Sequence, residues 1–345
     1  MGPASTDADA VANQPPLATS PRWQPVMRAM SGGRLVGRPT IIAMAADPPN
    51  QVLELLGVRP GRVVLLRDVP LGNGNWLVDS ADGQRFVLRR YQREVTREEL
   101  GYEHAVLDRL AGVGWVVPAA LGEPVRWQGR WYCPTRYVPG EAVRSEDSGQ
   151  RRRRGRDLAR LHLALRGAAE SLGQRPEWRA QHAAVTVRSG HPWEERVGGL
   201  ASVSPRLAAW ARAAATQAHE SLAALGAGEL PVMVVHGDFA AWNVHYDRER
   251  LAGVIDFGLT HVDSRPFELA IARSYRAQEM LDAYRAELAA LGWPLSELEE
   301  AALTPVYHAF RVGMAAAEMA DGVATGVYDL AMIERQLART ATAAP

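Results

Sequence analysis

The stretch from His236 to Gly258 holds three side chains whose types and spacing suit phosphoryl transfer. Asp238 and Asn243 lie five residues apart in His-Gly-Asp-Phe-Ala-Ala-Trp-Asn, and Asp256 follows thirteen residues later in Ile-Asp-Phe-Gly. Transfer of a phosphoryl group to a hydroxyl needs a carboxylate that orients the oxygen and accepts its proton, and Asp238 suits that role. Mg²⁺ prefers oxygen ligands and commonly takes one or two carboxylates plus phosphate oxygens. Asn243 and Asp256 are therefore candidate metal ligands.

The residues around these side chains predict short strands with turns between them. Residues 232–235 are predicted to form a buried strand, and residues 243–246 and 253–256 a pair of short strands. Gly237 permits a backbone turn that a side chain would obstruct. We expect His236 to support the loop through hydrogen bonds rather than to transfer protons. The three candidate side chains should then meet at adjoining strand ends.

The whole motif resembles the aminoglycoside phosphotransferase family of small-molecule kinases, which includes homoserine-kinase-like and choline-kinase-like enzymes. Protein kinases usually carry Arg where Gly237 stands, and a long activation segment after Asp-Phe-Gly. Here Pro266–Ala270 follows soon after and enters a predicted helix, as in the compact family arrangement. Glu268 stands where the family more often has Asp. The resemblance covers most of residues 50–335.

The resemblance implies an α+β, bilobal protein-kinase-like fold that uses ATP and Mg²⁺. A disordered leader at 1–48 would precede a small antiparallel β-rich N-lobe at 49–138 and a larger, mainly α C-lobe at 139–341. Met44 lies just before the first folding signals and is a candidate natural start. The pattern of apolar residues predicts N-lobe strands at 63–66, 75–78, 85–89, 123–127 and 131–137, and helices at 98–110, 151–168, 206–225, 267–291, 296–320 and 328–341. Residues 170–205 are expected to be irregular, and the Arg151–Arg154 run to be solvated.

Arg89 is the residue that the resemblance assigns to the ATP phosphates. The family usually has Lys there, but all 39 basic residues of this chain are Arg. A guanidinium can bind phosphate oxygens in a bidentate manner. Arg90 points to the opposite strand face and is expected to be exposed. Glu103 is implied as the helix partner of Arg89, with Glu99 one turn away as the alternative.

Two further segments are implied to contact the nucleotide. Gly72 and Gly74 lie in the turn that would cover the phosphates, although a plain hairpin explains such a turn almost as well. Thr135, Tyr137 and Val138 resemble the hinge between the lobes, whose backbone groups would hydrogen-bond adenine.

The composition excludes several classes of protein. The formal net charge of the 345 residues is zero, and the ten Trp are scattered, so nucleic-acid binding is not supported. No apolar run is long enough to span a membrane. The single cysteine, Cys133, excludes an internal disulfide and fits a cytoplasmic protein. Without Lys, neither a P-loop nor a Schiff base can form. The sequence carries no signal for an oligomeric state.

The partner that the motif implies is a small-molecule hydroxyl acceptor, and the charge signals for it conflict. Residues 259–345 contain seven Arg and twelve Asp or Glu, which favours a cationic aminoglycoside-like antibiotic or related metabolite. The Arg-containing stretch 170–205 favours an anionic or zwitterionic acceptor, so a homoserine- or choline-type amino-alcohol kinase is the alternative. A nucleotide-binding pseudokinase scaffold is a third possibility. The intact Asp238, Asn243 and Asp256 argue against it.

Overall fold

A computed structural model describes residues 50–68, 73–92, 95–142, 147–176, 192–272 and 278–340. The predicted leader and Gly72 lie outside the described residues. The N-terminal part consists of α1 (Asn50–Leu55), β1 (Pro60–Asp68), β2 (Gly74–Ser80), β3 (Arg85–Arg90), α2 (Arg97–Gly112), β4 (Val125–Trp127) and β5 (Arg130–Arg136). The five strands form an antiparallel sheet in the order β1-β2-β3-β5-β4.

The two faces of this sheet have different environments. Alternating residues of β2 and β3, among them Trp76 and Leu88, are buried in a core with Val52 and Leu53 of α1. The opposite face carries Arg89. Because successive strand residues point to opposite faces, the sequence pattern of β3 fixes which face meets α2 and the helical part of the chain.

Helix α2 begins where its capping residues dictate. The Thr96 hydroxyl accepts a hydrogen bond from the Glu99 backbone N–H, and the Glu99 carboxylate accepts one from the Thr96 N–H. This reciprocal capping box satisfies two donors that the helix start would otherwise leave unpaired. The predicted helix at 98–110 is present, and its fixed start determines which face carries Glu103.

The rest of the chain is mainly helical. It consists of β6 (Glu141–Ala142), α3 (Ser148–Leu165), α4 (Ala168–Leu172), α5 (Trp193–Val203), α6 (Pro205–Leu225), β7 (Val232–Val235), β8 (Val244–Asp247), β9 (Arg250–Val254), β10 (His261–Ser264), α7 (Arg265–Ala272), α8 (Gln278–Ala290), α9 (Glu297–Thr325) and α10 (Leu330–Leu337). Strands β6, β8 and β9 form one small antiparallel sheet, and β7 pairs with β10 in another. None of the helices in the described ranges is both long and apolar enough to cross a membrane.

Elements α5 and β10 are among those that differ from the sequence prediction. Residues 193–203 form α5, although the surrounding stretch was expected to be irregular. Gly198 and Gly199 weaken its helical signal, yet a Cβ on Gly199 would lie 2.3 Å from the Tyr328 hydroxyl, so tertiary packing requires a small residue there. Strand β10 was not predicted because its sequence, His-Val-Asp-Ser, is polar. It is nevertheless fully buried against β7.

Candidate active site

The loop after β7 is held by side chains that accept three consecutive backbone N–H groups. The N–H groups of Gly237 and Phe239 donate to the two carboxylate oxygens of Glu268, at 2.9 and 3.2 Å. The N–H between them, that of Asp238, donates to His236 Nδ1 at 3.1 Å. Burial raises the pKa of Glu268, while the two backbone hydrogen bonds act to lower it. Glu268 lies in the first turn of α7, about 30 residues later in the chain, and therefore fixes the backbone on both sides of Asp238.

His236 supports this loop in its neutral form. Its Nε2 lies 2.9 Å from the carbonyl oxygen of Ile255, so the ring proton is on Nε2 and Nδ1 is the acceptor for Asp238. Burial lowers the pKa of His236 to about 4. Gly237 has φ +82°, and a Cβ there would lie 2.2 Å from the Leu259 carbonyl oxygen. The turn therefore requires glycine at this position.

Asp238 and Asn243 are in direct contact. The Asn243 side-chain amide donates to both the backbone oxygen and Oδ2 of Asp238, each at 2.9 Å. The backbone carbonyl oxygen of Asn243 accepts a hydrogen bond from the Ile255 N–H, also at 2.9 Å. Because Ile255 directly precedes Asp256, these bonds place the three sequence-predicted side chains at adjoining ends of β7, β8 and β9.

Arg154 is a support that the sequence prediction missed. Its Nη1 donates to the carbonyl oxygens of Phe239 and Ala272, at 3.1 and 3.2 Å, and the residue is almost fully buried. The Arg151–Arg154 run was expected to be solvated, and for its last member this was wrong. Arg154 lies four residues before Leu158 and therefore on the buried stripe of α3, which is the signal that could have identified it.

Arg89 joins two carboxylates from different parts of the chain. Its Nη1 lies 3.2 Å from Glu103 Oε1, and its Nη2 lies 3.2 Å from Asp256 Oδ1. Burial opposes the charge of Arg89, but these carboxylates raise its pKa above the ordinary value. Glu99, the alternative partner, caps α2 instead. Arg90 is half-buried and stacks on the Trp76 ring at 5.5 Å, so it is not the exposed residue that was expected.

Asp256 has an unusual backbone conformation. Its φ of +63° lies in the left-handed region, which is costly for a residue other than glycine and is often found at functional sites. A Cβ on Gly258 would lie 2.9 Å from Arg89 Nη2, 3.5 Å from Asp256 Oδ1 and 3.7 Å from Asn73 Nδ2. Asn73, which directly precedes β2, therefore reaches the site.

The glycine of this turn that the structure describes has a packing role. A Cβ on Gly74 would lie 2.8 Å from the Trp76 ring and 3.2 Å from the Arg90 guanidinium. This close approach is one reason why glycine is needed there, and its contact with the nucleotide remains a prediction.

The hinge residues fall into two groups. Thr135 lies inside β5, where its hydroxyl donates to the Val87 carbonyl oxygen at 3.1 Å. Tyr137 and Val138 follow the end of that strand. Val138 packs against Gly253, where a Cβ would lie only 2.4 Å from its side chain. Of the predicted hinge residues, Tyr137 and Val138 are therefore the two whose backbone lies outside the sheet.

An apolar patch lies beside Arg89 on the same face of the sheet. Leu77 of β2 is opposite Val64 of β1 on one side and Val87 of β3 on the other, and all three are half-buried. None of the three was predicted from the sequence as a site residue. Val87 stands two residues before Arg89, so strand alternation could have placed it on this face.

The donor set of the site fits a magnesium ion that shares its coordination with phosphates. Within the described ranges, no cluster of three or more His, Cys, Asp or Glu side chains could hold a metal alone. Asn243 donates its amide N–H₂ to Asp238, which leaves the amide oxygen as its ligand atom. Asp256 adds a carboxylate that is about one-third exposed (34%). Two oxygen donors of this kind are what Mg²⁺ takes when phosphates and water complete its shell.

Residues 66–302 match the model of the phosphotransferase enzyme family, known as APH. The chain belongs to this family. Among its curated relatives, this APH protein is 29% identical over 252 residues to the homoserine kinase of Phenylobacterium zucineum, covering 68% of the chain and 73% of that enzyme. It is 25% identical over 234 residues to the homoserine kinase of Zymomonas mobilis subsp. mobilis, covering 65% and 69%.

Solved structures of low sequence identity share the fold of this APH protein. A microcompartment-associated aminopropanol kinase has a TM-score of 0.60 at 17% identity, covering 84% of this chain and 93% of that one. The amicoumacin kinase hAmiN has a TM-score of 0.61 at 12% identity, covering 86% and 96%. A thermostable mutant of aminoglycoside phosphotransferase APH(4)-Ia in its apo form has a TM-score of 0.54 at 17% identity, covering 84% of this chain and 96% of that one. The predicted α+β, bilobal protein-kinase-like fold is confirmed.

Proposed function

We propose that this APH protein transfers the γ-phosphate of ATP to a hydroxyl of a small molecule, in a reaction that needs Mg²⁺. The observation that carries the proposal is the contact network of Arg89, Asp256, Asn243 and Asp238. It gathers a phosphate-binding cation, two oxygen donors for a metal and a buried carboxylate at the ends of neighbouring strands. These are the parts that phosphoryl transfer requires.

Each residue has a separate task in this proposal. Arg89, oriented by Glu103, donates to the phosphate oxygens of ATP. Asn243 and Asp256 would hold Mg²⁺, which supplies positive charge to those oxygens when bound. Asp238, held through its Oδ2 by Asn243, orients the acceptor hydroxyl and accepts its proton. Glu268 and His236 keep the Asp238 backbone in place.

The nucleotide base has a matching surface beside these charges. Val64, Leu77 and Val87 offer a half-buried apolar patch on the Arg89 face, on which an adenine ring could pack. The backbone of Tyr137 and Val138 follows the sheet and could hydrogen-bond the edge of the base. Because ATP consumption needs a compartment that supplies ATP, a cytoplasmic location remains our prediction.

Ion pairs in the structure change what the charge of residues 259–345 indicates about the phosphate acceptor. The acidic surplus of 259–345 favoured a cationic acceptor, but several of these carboxylates have arginine partners. Glu279 is paired with Arg151, Glu287 with Arg160 and Glu334 with Arg206, and these arginines lie outside 259–345. These pairs weaken the charge argument for an aminoglycoside-like acceptor. The curated relatives are homoserine kinases, which favours an amino-alcohol acceptor as the second candidate.

Turnover of Mg·ATP with homoserine, aminopropanol, choline and a panel of aminoglycosides tests the proposal. Asp238→Ala should retain Mg·ATP binding and lower kcat by roughly 10²–10⁴-fold for the accepted substrate, because the general base is lost. Asp247→Ala, at an exposed aspartate of β8, is the matched control and should keep wild-type turnover. Wild-type kcat in Asp238→Ala would contradict the role of Asp238. Mg·ATP binding without phosphorylation of any acceptor would favour a scaffold.

A further inference from the structure

Arg175 is a buried cation that the mechanism above does not use. It lies after α4 in the sequence Gln-Arg-Pro, within residues 170–205, whose arginines favour an anionic or zwitterionic acceptor. Its side chain is only 2% exposed. Pro176 restricts the backbone of the residue before it to extended conformations, which limits the directions in which Arg175 can point.

The guanidinium of Arg175 braces the turn that follows Asp256. Its Nη1 donates to the carbonyl oxygens of Gly258 and Thr260, both at 2.9 Å. Thr260 is itself anchored, because its hydroxyl donates to the Val235 carbonyl oxygen of β7 at 2.7 Å. Arg175 therefore connects to the strand that leads into the Asp238 loop as well as to the Asp256 turn.

The same side chain faces the first turn of α2. Arg175 Nε lies 3.9 Å from Glu99 Oε1, and Glu99 is fully buried. The other oxygen of Glu99 accepts the Thr96 N–H at 3.0 Å in the capping box. Glu103, the partner of Arg89, lies one helical turn after Glu99, so the position of Glu99 determines where Glu103 stands.

These contacts form a closed ring. It runs from Arg175 to Glu99, along one turn of α2 to Glu103, across to Arg89 and Asp256, and through the following turn back to Arg175. We infer that Arg175 is a positioning residue that ties α2 to the turn after Asp256. The phosphate-binding pair and the proposed metal ligand are then held as one unit before any nucleotide binds.

The charges of the ring agree with this inference. Two guanidiniums face three carboxylates, which leaves one net negative charge around the place proposed for Mg²⁺. Burial lowers the pKa of Arg175 to about 10, which still leaves it charged at neutral pH. A permanent planar cation can serve a carboxylate and two carbonyls at once, which a lysine ammonium on a flexible stem does poorly.

The inference rests on the proposed function, because its readout includes Mg·ATP binding. Arg175→Met alone would leave Glu99 as an uncompensated buried carboxylate and could prevent folding. The test variant is therefore Arg175→Met combined with Glu99→Gln, which removes both charges. Arg109→Met is the matched control. Arg109 also joins α2 to α3, by donating to the Ala164 and Arg166 carbonyl oxygens, but at the far end of the helix.

Two measurements decide the matter. Hydrogen exchange of the α2 amides, without nucleotide, should be faster in the double variant than in the wild type or Arg109→Met. Mg·ATP affinity should fall about tenfold, while the KM for the acceptor stays unchanged. Arg175→Lys should keep the fold and still bind Mg·ATP more weakly than the wild type.

Each contrary result has a separate meaning. Wild-type hydrogen exchange and wild-type Mg·ATP affinity in the double variant would overturn the inference that Arg175 ties α2 to the turn after Asp256. Full recovery of affinity by Arg175→Lys would show that Arg175 only neutralises Glu99. A wild-type protein that fails to bind Mg·ATP would overturn the proposed function. In that case hydrogen exchange of the α2 amides would still show whether Arg175 ties α2 to the turn after Asp256.

Discussion

Replacing Glu268 with Gln tests whether the loop that carries Asp238 depends on a single distant carboxylate. Glu268 is fully buried and accepts the N–H groups of Gly237 and Phe239, which flank Asp238. A glutamine has almost the same shape but only one acceptor oxygen. Its other terminal group is an amide N–H₂, which would face a backbone N–H.

The expected cost follows from these two hydrogen bonds. A hydrogen bond to a charged group contributes about 1.5–3 kcal/mol, and an unpaired buried donor costs about 1–3 kcal/mol. Because burial already disfavours the charged form of Glu268, part of this cost is recovered when the charge is removed. We expect Glu268→Gln to lower the free energy of unfolding by about 3 kcal/mol. A shift of Asp238 by about 1 Å can lower kcat by up to about 100-fold.

Urea unfolding and steady-state kinetics measure the two effects. The KM for Mg·ATP should change by less than about twofold, because Arg89 and Asp256 do not lie on this loop. Glu300→Gln is the matched control. It breaks a partly exposed pair with Arg285, which should cost no more than about 1 kcal/mol and leave kcat unchanged. A Glu268→Gln protein that loses stability but keeps wild-type kcat would refute the positioning argument.

Three other predictions concern Arg89 and its surroundings and the buried histidines. Gly258→Ala should weaken Mg·ATP binding, because the new Cβ would lie 2.9 Å from Arg89 Nη2 and displace it; unchanged affinity in a titration would contradict this. Arg89→Ala should lower Mg·ATP affinity at least about tenfold, whereas Arg90→Ala, which removes a side chain that stacks on a tryptophan ring on the opposite strand face, should not; the reverse order would mean that the strand faces are misassigned. Burial lowers the pKa of His162 to about 3 and that of His236 to about 4, below the ordinary value near 6.5, so the unfolded chain binds more protons between about pH 6.5 and pH 4. The free energy of unfolding should therefore fall from pH 7.5 to pH 5 by up to about 2 kcal/mol per histidine, and equal urea midpoints at both pH values would contradict this.

The sequence was most informative where the site is local in the chain. Asp238, Asn243 and Asp256 lie within 19 consecutive residues, from the end of β7 to just past the end of the β8–β9 hairpin, so their types and spacing were enough to predict that they meet. The pairing of Arg89 with Glu103 rather than Glu99 depends on where α2 begins. That start is set by the capping box at Thr96, which is also a feature that local sequence can indicate.

The two buried arginines that the sequence did not identify as supports of the site contact residues far away in the chain. Arg154 bonds to Phe239, 85 residues later, and Arg175 bonds to Gly258, 83 residues later. A buried arginine and a surface arginine have the same letter in the sequence, and only the tertiary partner tells them apart. The acidic count of 259–345 could not include arginines from elsewhere in the chain for the same reason, because Glu279 finds Arg151 as its partner only in the folded protein.

Arg89 also determines how the nucleotide site responds to reagents and to alkaline conditions. The pKa of the Arg89 guanidinium is raised above its ordinary value, so the contact proposed for the phosphates keeps its charge where an amine would begin to lose it. Acylating reagents that attack the lysine amine of ATP sites would find no such group anywhere in the 345 residues. Surveys of ATP-binding proteins that depend on lysine labelling would therefore not detect this protein, whereas arginine-directed dicarbonyl reagents would be the appropriate chemical probe.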